Sequence, residues 1–169
     1  KALKLRRVYG LINCAGTASM NLFLTTPHGT VREMFEVNTL GTINTCAALL
    51  PAMIRNGQGR IINFSTIAVK IGLVGEAVYG ASKAAVEAFS RVLAKEVSQY
   101  GITVNTISPN PIDTDLIAGV DEKKIQKLIC EYQAINRKSE FADVLNVIRF
   151  YLDERSEMIT GQDLTLGGY

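Results

Sequence analysis

Short apolar runs of strand length alternate along this chain with longer stretches of helical periodicity, and that alternation narrows the available folds more than any other feature. Residues 8–13, 60–65, 102–108 and 163–166 read as strands. Residues 30–56, 77–100, 121–134 and 139–152 read as helices, the first ended by Gly57 and Gly59 and the second by Gly101. Strands interleaved with helices pair in parallel through right-handed crossovers, with helices covering both faces of the sheet. The expected class is therefore α/β, a doubly wound parallel sheet. In such sheets ligands bind beyond the carboxyl ends of the strands, which directs attention to three loops: Cys14-Ala15-Gly16, Ser65-Thr66 and Ser108-Pro109-Asn110.

With 47% hydrophobic and 20% charged residues, the chain has the profile of one globular domain, 1–169, and not of a disordered or fibrous protein. A net charge of +2 without a long basic run gives no nucleic-acid footprint, the one basic cluster being residues 1–7. The longest uncharged stretch, 37–54, carries Asn38, Thr39, Thr42, Asn44, Thr45 and Pro51; it is expected to be a buried helix of a soluble protein, so no membrane partner is expected. Cys14, Cys46, Cys130 and the single His28 form no metal or disulfide framework, and no signal peptide is recognisable, which points to reduced, cytoplasm-like surroundings. Lys123, Lys124 and Lys127 read as the solvated face of a lid helix whose other face holds Ile125, Leu128 and Ile129; a second reading makes that edge a dock for an acidic carrier domain.

Tyr79 and Lys83 stand four apart at the start of the second long helix, so both reach one spot at its amino-terminal end. The spacing alone is weak evidence, but Thr66 lies thirteen residues before Tyr79 at the end of a strand. A hydroxyl, a phenol and an ammonium then converge on the sheet's carboxyl edge. A phenol titrates near pH 10 in water, and a nearby ammonium is expected to bring it down by roughly two units, making Tyr79 a general acid or base. The Thr66 hydroxyl, or the neighbouring Ser65, can hold a carbonyl oxygen where charge develops. Such a site suits proton transfer to oxygen coupled to hydride transfer at the adjacent carbon.

Tyr79-x-x-x-Lys83, the Asn13-Cys14-Ala15-Gly16 turn, Asn38 within a helix, the Pro109-Asn110-Pro111-Ile112-Asp113-Thr114 loop and the ending Ile159-Thr160-Gly161-Gln162 with Gly167-Gly168 together resemble the short-chain dehydrogenase/reductase family. The resemblance runs over essentially the whole chain and implies a Rossmann-like fold of which about four strands, from the family's fourth to its end, are present. It implies that Tyr79 is the acid/base, that Lys83 activates it and holds the nicotinamide ribose, and that Asn38 anchors a water in a proton relay. It likewise implies cofactor contacts from Asn13, Cys14, Ala15, Gly16, Pro109, Asn110, Ile112 and Thr114. The cofactor would be NAD or NADP, with NADPH the expected form, no metal is expected, and the substrate would be a small carbonyl or acyl compound. The nearest look-alikes are the 3-oxoacyl-[acyl carrier protein] reductases of fatty acid biosynthesis.

Thr66 stands where the family usually has serine, Cys14 where it has a second asparagine, and Asn110 where it has glycine, a position at which asparagine tolerates left-handed backbone. The family's Gly-rich phosphate turn does not precede residue 8, so an amino-terminally incomplete domain is expected. The rival function is a non-catalytic binding or assembly module. Both long helices, 30–56 and 77–100, carry more apolar surface than one sheet face covers, and the resemblance implies that they pair with their copies in a homodimer or homotetramer.

Overall fold

The computed structural model describes residues 7–169, so of the basic cluster 1–7 only Arg7 falls within the described residues. Four strands, β1 (Gly10–Asn13), β2 (Gly59–Phe64), β3 (Ile102–Ser108) and β4 (Asp163–Thr165), form one parallel sheet in that spatial order. The register pairs Ile12 with Ile62, Ile62 with Asn105 and Thr106 with Asp163. Successive residues of a strand face opposite sides, so Ile61 and Ile62 anchor different cores. Ile61, Ile102 and Val104 pack with Cys46, Met53, Leu93, Ala94 and Val97 on one face. Ile62 and Ile107 pack with Val147 and Tyr151 on the other. This two-sided burial is the doubly wound arrangement the alternation predicts.

The helix expected at 30–56 is present in three parts: α1 (His28–Met34), a π-helical stretch (Phe35–Leu40) and α2 (Gly41–Asn56). A π-turn inserts one extra residue into the helical register, and here it turns Asn38 and Thr39 inward. The reading of 37–54 as a buried helix holds on one face only. His28–Asn56 has the length and mean hydropathy, 1.3, of a bilayer-crossing helix, with 33% of its most apolar stretch buried. Thr42, Cys46, Ala52 and Met53 face inward, while Asn44, Ala47, Ala48 and Pro51 are exposed.

Three further helices follow their expected positions closely: α4 (Ala77–Val97), α5 (Glu122–Tyr132), whose cap Asp121 accepts from the Lys123 amide, and α6 (Phe141–Leu152), opened by a capping box of Glu140 and Asp143. A short α3 (Ile67–Ile71) was not expected; five residues carry no periodicity to read. The strand expected at 8–13 begins at Gly10, the Tyr9 carbonyl before it accepting from the Arg60 amide at 2.8 Å. Gly101 ends α4's final 3-10 turn at φ +69°, and a Cβ there would lie 2.5 Å from the Gly57 carbonyl oxygen, so this crossing of two turns admits only glycine.

Candidate active site

The ends of β2 and β3 and the first turns of α4 bring the predicted chemistry together. Ser65 and Thr66 leave β2 with opposite fates. The Ser65 hydroxyl donates to Glu87 Oε1 on α4 at 2.6 Å, whereas Thr66 caps α3, its Oγ1 accepting from the Ala68 amide at 3.2 Å, and lies near enough to Tyr79 to favour the phenolate. Thr66, not Ser65, is thus the hydroxyl that meets the phenol.

Tyr79 is buried, and its phenol is pushed up to about 12 by that burial and by the nearby Glu76 carboxylate, with the Thr66 side chain pulling the other way. The downward shift expected from Lys83 is not found: burial and Glu76 set the direction, and Lys83 is not among the groups that move this phenol. Lys83 is itself buried and pushed down to about 8, with the Cys14 side chain acting in the opposite direction. Its ammonium donates to the Phe64 carbonyl oxygen at 3.1 Å. Glu76, three residues before Tyr79 at the cap of α4, is raised to about 7 by burial. Sequence reasoning missed it; its i, i+3 spacing to Tyr79 was the available signal.

Asn38 ties the first loop to α4. Its Oδ1 accepts from the Thr17 amide at 2.8 Å, and its Nδ2 donates to the Thr17 carbonyl at 2.9 Å and to Ser82 Oγ at 3.0 Å. Ser82 in turn donates to the Tyr79 carbonyl at 2.8 Å. Both amide hydrogens are engaged, so a relay water would be taken by an oxygen of Asn38. A Cβ built on Gly16 would lie 3.2 Å from both Asn38 Oδ1 and Lys83 Nζ, so the loop passes directly over the lysine. Cys14, Ala15 and Gly16 are exposed at this edge. Asn13 is turned inward, donating to Asn63 Oδ1 at 2.8 Å and accepting from Thr45 at 2.6 Å, and it pairs with Asn63 in the sheet.

In the later loop, the Pro109 carbonyl accepts from the Ile67 amide at 3.0 Å and so holds α3 against it. Asn110 does not stand in for glycine by left-handed backbone: among the described residues only glycines have positive φ. Instead its buried side chain donates to Gln133 Oε1 at 2.8 Å and to the Arg137 carbonyl at 3.0 Å and accepts from Ser139. Ile112 and Thr114 follow, Thr114 lining an open cleft of about 380 Å³ with Ile117, Val120 and Ile125; neither Tyr79 nor Lys83 borders it.

A family model described as enoyl-(acyl carrier protein) reductase matches residues 2–169. The chain belongs to the short-chain dehydrogenase/reductase family. It is 35% identical over 158 residues to carbonyl reductase family member 4 of Xenopus tropicalis, covering 94% of this chain and 64% of that protein. It is also 35% identical over 164 residues to the 3-oxoacyl-[acyl-carrier-protein] reductase of Bos taurus, covering 97% of this chain and 67% of the relative. The chain therefore spans about two thirds of the length of these relatives. In fold it superposes on a Burkholderia cenocepacia gluconate 5-dehydrogenase, solved with NADP and tartrate, at a TM-score of 0.92 and 23% identity, over 98% of this chain and 65% of that one. The Rossmann-like architecture expected from the family motifs is thus the observed one.

Proposed function

We propose that the protein is an NAD(P)(H)-dependent oxidoreductase that interconverts a ketone and a secondary alcohol, with 3-oxoacyl thioesters as the favoured substrate class. The observation that carries the reading is the meeting of Thr66, Tyr79 and Lys83 at one edge of the sheet, with the lysine under Gly16. A buried ammonium costs stability, and a scaffold has no use for one beside a phenol. An ammonium has three hydrogens to give, and Phe64 takes one of them. With the Cβ-free approach of Gly16, this suits the hydroxyls of a ribose, so Lys83, Gly16, Ala15 and the Asn13 backbone would hold the nicotinamide end of the cofactor, joined by Ile112 and Thr114 from the later loop. That cofactor supplies the hydride. The NADP seen in the gluconate 5-dehydrogenase favours the phosphorylated form.

Within this site the Thr66 hydroxyl orients the carbonyl oxygen and Tyr79 delivers a proton to it. A phenol raised to about 12 holds its proton throughout the neutral range, which is the form that carbonyl reduction consumes. Tyr79→Phe, measured in the whole natural protein with an acetoacetyl thioester and NADPH, should lower turnover about 10³-fold or more while leaving cofactor affinity within about twofold. Comparable turnover in the variant would exclude Tyr79 as the proton donor. We propose in addition that the exposed outer faces of α2 and α4 seat a second copy of the chain, as the family resemblance implies.

A further inference from the structure

Behind Thr66 lies an ionic cluster that the proton and hydride chemistry leaves unused. Lys70 Nζ, on α3, is 2.6 Å from Glu87 Oε2 on α4 and 2.6 Å from Asp163 Oδ2 on β4. Each carboxylate has a second partner at the sheet edge: Ser65 donates to Glu87 Oε1 at 2.6 Å, and Ser108 donates to Asp163 Oδ1 at 2.7 Å. One ammonium thereby joins, through these carboxylates, the residue after β2, the last residue of β3, the start of β4, and α4 two turns beyond Tyr79. The three side chains are mostly buried, at 18%, 7% and 17% exposure.

Burying one cation with two carboxylates is a poor route to stability, since desolvation takes back much of the Coulomb gain; what such a cluster does well is fix geometry. The geometry it fixes here is that of Thr66. The helix that Thr66 caps has five residues, far too few to persist without tertiary support. Support comes from both sides: Ser65 is bound to Glu87, the Ile67 amide is bound to the Pro109 carbonyl, and Lys70 closes the helix's far end onto Glu87 and Asp163. Because Glu87 lies on the same helix as Tyr79, the cluster sets the hydroxyl and the phenol relative to one rigid element.

We propose that Lys70, Glu87 and Asp163 are positioning residues for the Thr66 hydroxyl, holding it where it orients the substrate carbonyl. The proposal rests on the reading of Thr66 given above. It is tested by a double-mutant cycle of Lys70→Met against Thr66→Ala in the whole natural protein, reading kcat and KM for the ketone, NADPH affinity by fluorescence titration, and Tm. Lys70→Met should lower kcat about tenfold with cofactor affinity within about twofold, and Lys70→Arg should restore most of the loss. In the Thr66→Ala background the same change should cost less than about twofold, because the group being positioned is gone. A full tenfold loss in that background, or an unchanged kcat in Lys70→Met alone, overturns the proposal. An unchanged kcat in Thr66→Ala alone overturns the reading of Thr66 itself, and this inference with it. Should Lys70→Met fail to fold, Glu87→Gln, which keeps an acceptor for Ser65 but removes the charge, goes through the same cycle with the same expectations.

Discussion

Replacing Glu76 by glutamine tests the electrostatics of the site through stability, independently of any substrate. Burial pushes the Glu76 carboxyl from the ordinary 4.5 to about 7. Between those two values the folded protein holds a proton that the unfolded chain has released, so the residue's contribution to stability is fully present in acid and is lost as the pH rises through this window. Each pKa unit corresponds to about 1.4 kcal/mol, so the loss amounts to about 3 kcal/mol by pH 8. Glutamine carries no charge at any pH and escapes that loss. Urea unfolding of both proteins from pH 4.5 to 8.5 should therefore show near-equal stability at the acid end and a variant more stable by about 3 kcal/mol at the alkaline end. Taking the difference at each pH cancels the titration of every other group. A difference that does not change with pH would refute the buried carboxyl. The Glu76 charge also helps to raise Tyr79, so the alkaline limb of alcohol oxidation, which needs the phenolate, should move to lower pH in Glu76→Gln.

Gly16→Ala would set a methyl 3.2 Å from Lys83 Nζ and Asn38 Oδ1, and should weaken NADPH binding about tenfold or more with Tm little changed; unaltered affinity by fluorescence titration would remove this loop from the cofactor site. Gly101→Ala combines a left-handed φ with a Cβ 2.5 Å from the Gly57 carbonyl oxygen, and should cost about 2 kcal/mol or more, read as a Tm several degrees lower. Ala88 lies exposed on α4 beside Ala81 and Val92, so Ala88→Glu should dissociate the proposed dimer in light scattering while leaving Tyr79 chemistry intact. A wild-type protein that is monomeric at micromolar concentration would refute that use of the face.

What the sequence made legible was whatever periodicity and local spacing encode. The order of strands and helices, the convergence of Tyr79 and Lys83 on one turn, and the ends at Gly57 and Gly101 all follow from residues close together in the chain. What it left open depended on distant partners. Spacing favours Thr66 over Ser65 without excluding the serine, which is set aside by Glu87, 22 residues on, taking its hydroxyl. Asn110 reads as a tolerant substitute for glycine until Gln133 and Ser139, 23 and 29 residues away, claim its side chain. The π-turn that turns Asn38 inward has no periodic signature of its own, since one inserted residue leaves the apolar pattern on either side intact.

The direction of the tyrosine shift was the one misjudged quantity of chemistry, and its cause is physical. Spacing says which groups meet; it does not say in what medium they meet. Attraction between an ammonium and a phenolate lowers a phenol's pKa only if both charges survive desolvation. Here burial drives all three ionisable groups of the site toward neutrality: Tyr79 up to about 12, Glu76 up to about 7 and Lys83 down to about 8. A site in that condition holds a proton on its phenol at neutral pH. In the proposed mechanism this is the proton that reduction would pass to a forming alkoxide, and oxidation would require its prior removal, which places the expected optimum of oxidation on the alkaline side.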